Sequence, residues 1–177
     1  MKIPVNQGLC EIYNSYASDD NFAVGTILAA DKRYILSRGL DEVGRLDSYV
    51  LFARSEIRLI KQKTPYLKGV GRMVERQKEL GGFDVYQRKL PDELAMNTND
   101  LLREAMRWAV SKEQLVTIGL RNNDELLTGV LREVQGEIRM SLMDETLDFG
   151  KSIPITTSAI VMLEFLSVTS AIVTPRA

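Results

Sequence analysis

The chain has 177 residues, 45% hydrophobic and 27% charged, with a net charge of −1, a balance that supports a packed core in one domain or in two small ones. It contains no histidine and a single cysteine, Cys10, and it shows no nucleophile elbow, phosphate-binding glycine loop or acidic metal cluster, so the reading is non-catalytic and calls for no cofactor. The apolar runs are too short and too β-branched to span a bilayer and nothing reads as a secretory signal, which makes a cytoplasmic protein with no membrane partner the expectation.

In chain order, the N-terminal third reads as short strands. Leu9 to Tyr16 is the first, the polar stretch from Ala17 to Asn21 a turn, and Phe22 to Ala30 a second strand bent at Gly25. Asp31-Lys32-Arg33 turns into Tyr34 to Leu40, and after a turn over Asp41 to Leu46 come Tyr49 to Ala53 and Glu56 to Lys61. Five such strands suit one small barrel.

The period then becomes helical. Val70, Met73, Val74, Gln77 and Leu80 share a face of a helix from Tyr66 to Leu80, stopped by Gly81-Gly82. A second helix carries Leu101, Leu102, Ala105, Trp108 and Ala109 as an apolar stripe, with Asn97, Thr98 or Asn99 as its N-cap. Strands return at Gln114 to Leu120, Leu126 to Val134, Ile138 to Met143, Ile153 to Ile155 and Ala159 to Leu166. The tail from Ser167 to Ala177 is expected to add a further strand or an edge that pairs with another copy.

The two strand regions share a pattern. At an offset of 104 positions, Asp20 falls on Asp124, Gly25 on Gly129 and Ser37 on Ser141, while Ile12, Phe22, Ile27 and Tyr34 fall on apolar residues. Read as a degenerate duplication, this predicts a mainly β (α+β) fold of two tandem small barrels. The first spans 1–65, a helical connector 66–112, and the second barrel 113–177.

Charge is unevenly spread. Residues 54–89 hold ten basic side chains against four acids, and residues 90–150 hold six against twelve. Such asymmetry either creates a surface for an acidic partner or lets the two halves attract each other.

The segment from Val116 to Asp144 runs as apolar strand, polar turn at 122–124, strand with internal Gly129, polar turn at Gln135 to Glu137, and the Met-containing strand Met140-Ser141-Leu142-Met143-Asp144. In this it resembles the first motif of the Sm-like proteins, the superfamily of the bacterial Hfq group. The segment from Asp100 through Ile153-Pro154-Ile155 is also similar to the YolD-like proteins of bacteria and phages. The Sm resemblance implies SH3-like barrels and RNA binding through two loops. Asp31 stands at the family's loop aspartate, and Arg54-Ser55 at its Arg-Gly pair, whereas the second half has Gln135 and Thr157-Ser158 there. The candidate nucleic-acid residues are therefore Asp31, Lys32, Arg33, Tyr34, Arg54, Arg58 and Lys61. Lys32 and Arg33 would meet phosphate, Arg54 a base, and Tyr34 or Tyr49 would stack. Tyr34 and Tyr49 also suit a barrel core, and Asp31 also suits a turn cap.

RNA is thus the expected partner, in an assembly of several copies joined by strand edges. A protein-interaction module, such as a phage-encoded factor that occludes a host protein through acidic loops at Asp41-Glu42 and Asp144-Glu145, is the alternative. Capture of a nucleotide between the two barrels is a third reading.

Overall fold

The computed structural model describes residues 2–15, 21–95, 99–121, 123 and 125–173. The turn expected at 17–20, the caps Asn97 and Thr98, and positions 122 and 124 lie outside them. The fold is mainly β. Strands β1 (Leu9–Asn14), β2 (Ala23–Ala30), β3 (Tyr34–Leu40), β4 (Leu46–Ala53) and β5 (Ile57–Gln62) form the first half, and β6 (Leu115–Leu120), β7 (Leu126–Val134), β8 (Glu137–Met143), β9 (Phe149–Pro154) and β10 (Ile160–Phe165) the second. Between them lie α1 (Pro65–Glu79), α2 (Asp92–Ala95) and α3 (Leu101–Ser111), and α4 (Val168–Val173) follows β10.

The strands make one antiparallel sheet in the order β5-β1-β2-β3-β4-β10-β6-β7-β8-β9. Each half follows the same internal order, with its last strand beside its first. The halves fuse because β4 pairs with β10, Phe52 opposite Met162 and Tyr49 opposite Phe165. Where two separate sets of strands were expected, the backbone ladder is therefore continuous through the middle of the molecule.

Where a strand bend is expected at Gly25, the structure shows instead a close approach of the neighbouring strand, and the pairing of β2 with β3 shifts register between Ile27 and Ala29. A Cβ at Gly25 would lie 2.3 Å from the carbonyl oxygen of Arg38, and one at Gly129 would lie 2.1 Å from that of Ser141. Only glycine lets the neighbouring strand approach this closely. The two positions matched by the 104-residue offset thus do the same structural job in both halves.

Strand β4 is buried on both faces. Tyr49, Leu51 and Ala53 join a core with Leu101, Leu102, Ala105 and Phe165, while Val50 and Phe52 join another with Cys10, Ile12 and Met162. Burying each large aliphatic side chain contributes about 1.5–3 kcal/mol. Helix α1 is capped by Thr64, whose hydroxyl accepts the Leu67 N–H, and it buries Leu67, Val70 and Val74. In α3 the cap is Asp100 rather than the described Asn99, because the Asp100 carboxylate accepts the Arg103 N–H. Trp108 packs on the core side, 5.7 Å from the Phe165 ring.

The tail departs from the expected strand. Ser167 accepts the Ser170 N–H on its hydroxyl and takes the Ser170 hydroxyl on its carbonyl, which starts the short helix α4 instead. The buried Arg88 is a further unexpected element. Its guanidinium donates to the carbonyls of Leu46, Asp47 and Leu166 and pairs with Asp84 at 3.1 Å, tying the 84–88 segment to the β4–β10 seam.

Candidate nucleic-acid interface

The turn between β2 and β3 gathers most of the expected residues. Asp31 Oδ1 accepts the N–H groups of Arg33 and Tyr34, each at 2.6 Å, so its short side chain closes the turn. Its Oδ2 accepts the N–H of Leu101 at 2.8 Å, at the start of α3. Arg54, in the single 3-10 turn after β4, donates from Nη1 to the Asp31 carbonyl at 2.9 Å and from its backbone N–H to the Arg33 carbonyl at 2.7 Å. Lys32 and Arg33 are exposed beside them.

Five of the expected residues are placed away from an open contact surface or away from the turn. The Asp31 carboxylate is engaged by three backbone donors, so it anchors the turn and the helix rather than facing outward. Tyr34 is 4% exposed and donates its hydroxyl to the Ile160 carbonyl at 2.7 Å, which leaves no open ring face for a base. Burial pushes its phenol pKa up, with Arg33 pulling it partly back. Tyr49 is likewise buried, its ring 6.1 Å from Phe165, and its phenol is raised chiefly by burial. Arg58 and Lys61 lie on β5, separated from β3 in the sheet by β1 and β2, and Lys61 Nζ sits 4.7 Å above the Tyr13 ring.

Beside the turn opens a cleft of about 480 Å³ that sequence reading did not find. Arg33 from the first half and Arg103 and Arg107 from α3 form its rim, and Leu102, Met106 and Ile138 its apolar floor. Thr157 and Ser158, from the 3-10 turn before β10, also line it, as do the acids Asp100 and Glu133. The spacing of four between Arg103 and Arg107 puts both on one helix face, a signal present in the sequence but overshadowed by the apolar stripe beside it.

The rim guanidinium groups are held loosely. Arg33 meets Asp100 at 3.1 Å, and Arg107 and Arg103 meet Glu104 at 3.0 and 3.6 Å, while the three arginine side chains are each more than 60% exposed. Such pairs contribute about 0–1 kcal/mol, so an incoming anion displaces them at little cost. Arg121 reaches Ser55 at 3.4 Å and adds one more cation near the Arg54 turn. Among the described residues no group of three or more cysteine, aspartate or glutamate side chains is placed to hold a metal ion.

Compared with family models, curated proteins and solved structures, the chain matches none of them.

Proposed function

We propose that the chain is a non-enzymatic nucleic-acid-binding protein of Sm-like architecture that takes single-stranded RNA at the arginine-rimmed cleft. The observation that carries this reading is the cleft's composition. An apolar floor suits a base, and three exposed guanidinium groups suit the flanking phosphates, the two requirements of single-strand recognition. Met106 gives the floor a polarizable side chain that adapts to different bases. The Sm-like part of the reading is supported by the strand order repeated in the two halves and by the paired glycines at 25 and 129.

Arg33, Arg103 and Arg107 are thus the residues that carry binding, with Lys32 and Arg54 extending the positive field. Asp31 acts by holding the turn that presents Arg33. Fluorescence anisotropy of a labelled oligouridylate tests this: the wild type should bind, and Arg103→Ala with Arg107→Ala should weaken binding by at least tenfold. No binding by the wild type would end the RNA reading.

A protein partner is the second reading, favoured by the open strand β9 and the turn before it, where Phe149 and Leu147 are exposed at 41% and 52%. The sheet has two open edges, β5 with Arg58 and Lys61 and β9 with Lys151 and Pro154, residue types that restrain indiscriminate strand pairing. A second copy would have to pair along one of these two edges. Light scattering over a dilution series reads this directly.

A further inference from the structure

The basic segment noted in the sequence supplies a surface that the cleft does not use. Between α1 and the ends of β1 and β3 runs a shallow groove of about 870 Å³. Lys68, Arg72 and Arg76 line it at intervals of four along α1, about 6 Å of helix rise per step, so the three cations form a straight row. Arg38 faces them from β3, and Lys78 closes the end. The two acids in the groove are turned back on the helix itself, Glu79 to Arg76 and Glu75 to Lys78, each at 2.9 Å. Lys68 and Arg72 have no acidic partner among the described residues, and both are exposed. The floor is apolar, from Leu9, Leu40, Val74 and Phe83, and the Phe83 ring has Arg38 at 5.9 Å and Lys78 at 5.8 Å over it.

We infer that this groove is a second track for single-stranded nucleic acid, with phosphates along the Lys68–Arg72–Arg76 row and bases toward Phe83. A regular row of cations over an aromatic and aliphatic floor fits a phosphodiester strand, whereas a compact anion would engage only one or two of them. The groove and the cleft lie toward opposite ends of β3: Arg33 precedes the strand and Arg38 lies near its far end, about 17 Å of strand away. A trinucleotide, matched in length to the three-cation row, therefore fills one site and not both. The inference extends the proposed function but does not need the cleft to be the RNA site.

Native mass spectrometry of the full chain with 5′-phosphorylated triuridylate tests it, with Lys68→Glu plus Arg72→Glu as one variant and Arg33→Ala plus Arg103→Ala as the other. The substituted side chains are exposed, so the fold should persist, and circular dichroism checks that it does. The wild type should carry two oligonucleotides per chain, and each variant should carry one. A wild type that binds one, lost only in the groove variant, supports the groove and sinks the cleft. One that is lost only in the cleft variant overturns the groove and leaves the cleft standing. Two oligonucleotides retained by the groove variant, or none bound by the wild type, also overturns it.

Discussion

Asp31 and Leu101 are joined by a 2.8 Å hydrogen bond from the helix N–H to the carboxylate, across 70 positions of sequence. Through it the first half's β2–β3 turn fixes where α3 begins, and so where Arg103 and Arg107 stand relative to Arg33. Asp31→Ala removes a side-chain acceptor from three N–H groups and should cost about 1–3 kcal/mol of stability. It should also weaken RNA binding without removing any cation, whereas Asp31→Asn should recover part of both. Chemical denaturation and anisotropy on the same samples check this.

Arg88 carries a larger share of the fold. Its side chain is 4% exposed and holds three main-chain carbonyls together with Asp84. Arg88→Ala would leave the three carbonyls without their donor and Asp84 with only the main-chain N–H of residue 88, and should cost about 3–5 kcal/mol, the range for breaking a buried ion pair. A urea midpoint within error of the wild type would overturn this assignment.

The paired glycines make a symmetrical prediction. Gly25→Ala and Gly129→Ala each drive a methyl into a main-chain oxygen, so each should destabilise by about 1–3 kcal/mol through overpacking. The cause is close approach of strands, and valine in either place should be worse. Thermal melts of the two variants would show similar losses.

Stability should also respond to a carboxylate at the β4–β10 seam. Burial pushes the Glu164 pKa up, the neighbouring Asp47 pushes the same way, and a hydrogen bond from Ser48 partly offsets them. Asp47 is itself raised, first by burial and then by Asp41. A carboxyl with a raised folded pKa takes up its proton in the native state first, so its charge burdens the fold at neutral pH and the burden lifts as pH falls through that value. Glu164→Gln should therefore be more stable than the wild type above the raised Glu164 pKa, with the difference shrinking as pH falls through it. Asp41 runs the other way: burial alone would raise it, but hydrogen bonds from Arg45 and Val43 bring it down, so its contribution fades in acid. Comparing variant with wild type at each pH isolates Glu164.

Much of the fold was legible because the signals were local. Alternation and turn residues located β2, β3 and β7 closely, and the offset between Gly25 and Gly129 pointed to two positions where a neighbouring strand comes equally close. What could not be read was long-range. The pairing of β4 with β10 depends on strand edges far apart in sequence, and nothing in the run from Tyr49 to Ala53 says which strand covers its open side. The tail was misread because Val168, Ile172 and Val173 suit a strand, while the capping Ser167 decides for a helix. At the site, sequence placed Asp31, Arg33 and Arg54 together correctly as neighbours in space. It left Tyr34 open between contact and core and Asp31 between contact and turn cap, because type and position cannot show that the two are engaged by Ile160 and Leu101. Arg103 and Arg107 were passed over because their helix was read for its apolar face.

In the proposed function, Arg33, Arg103 and Arg107 carry phosphate binding at the cleft. The most direct measurement is the salt dependence of affinity for a single-stranded oligouridylate, in the wild type and in the variant with all three replaced by alanine. Each lost phosphate contact reduces the slope of log affinity against log salt by about 0.7, so the variant should bind more weakly with a slope shallower by about 2. A wild type without affinity, or a variant with an unchanged affinity and slope, would contradict the account.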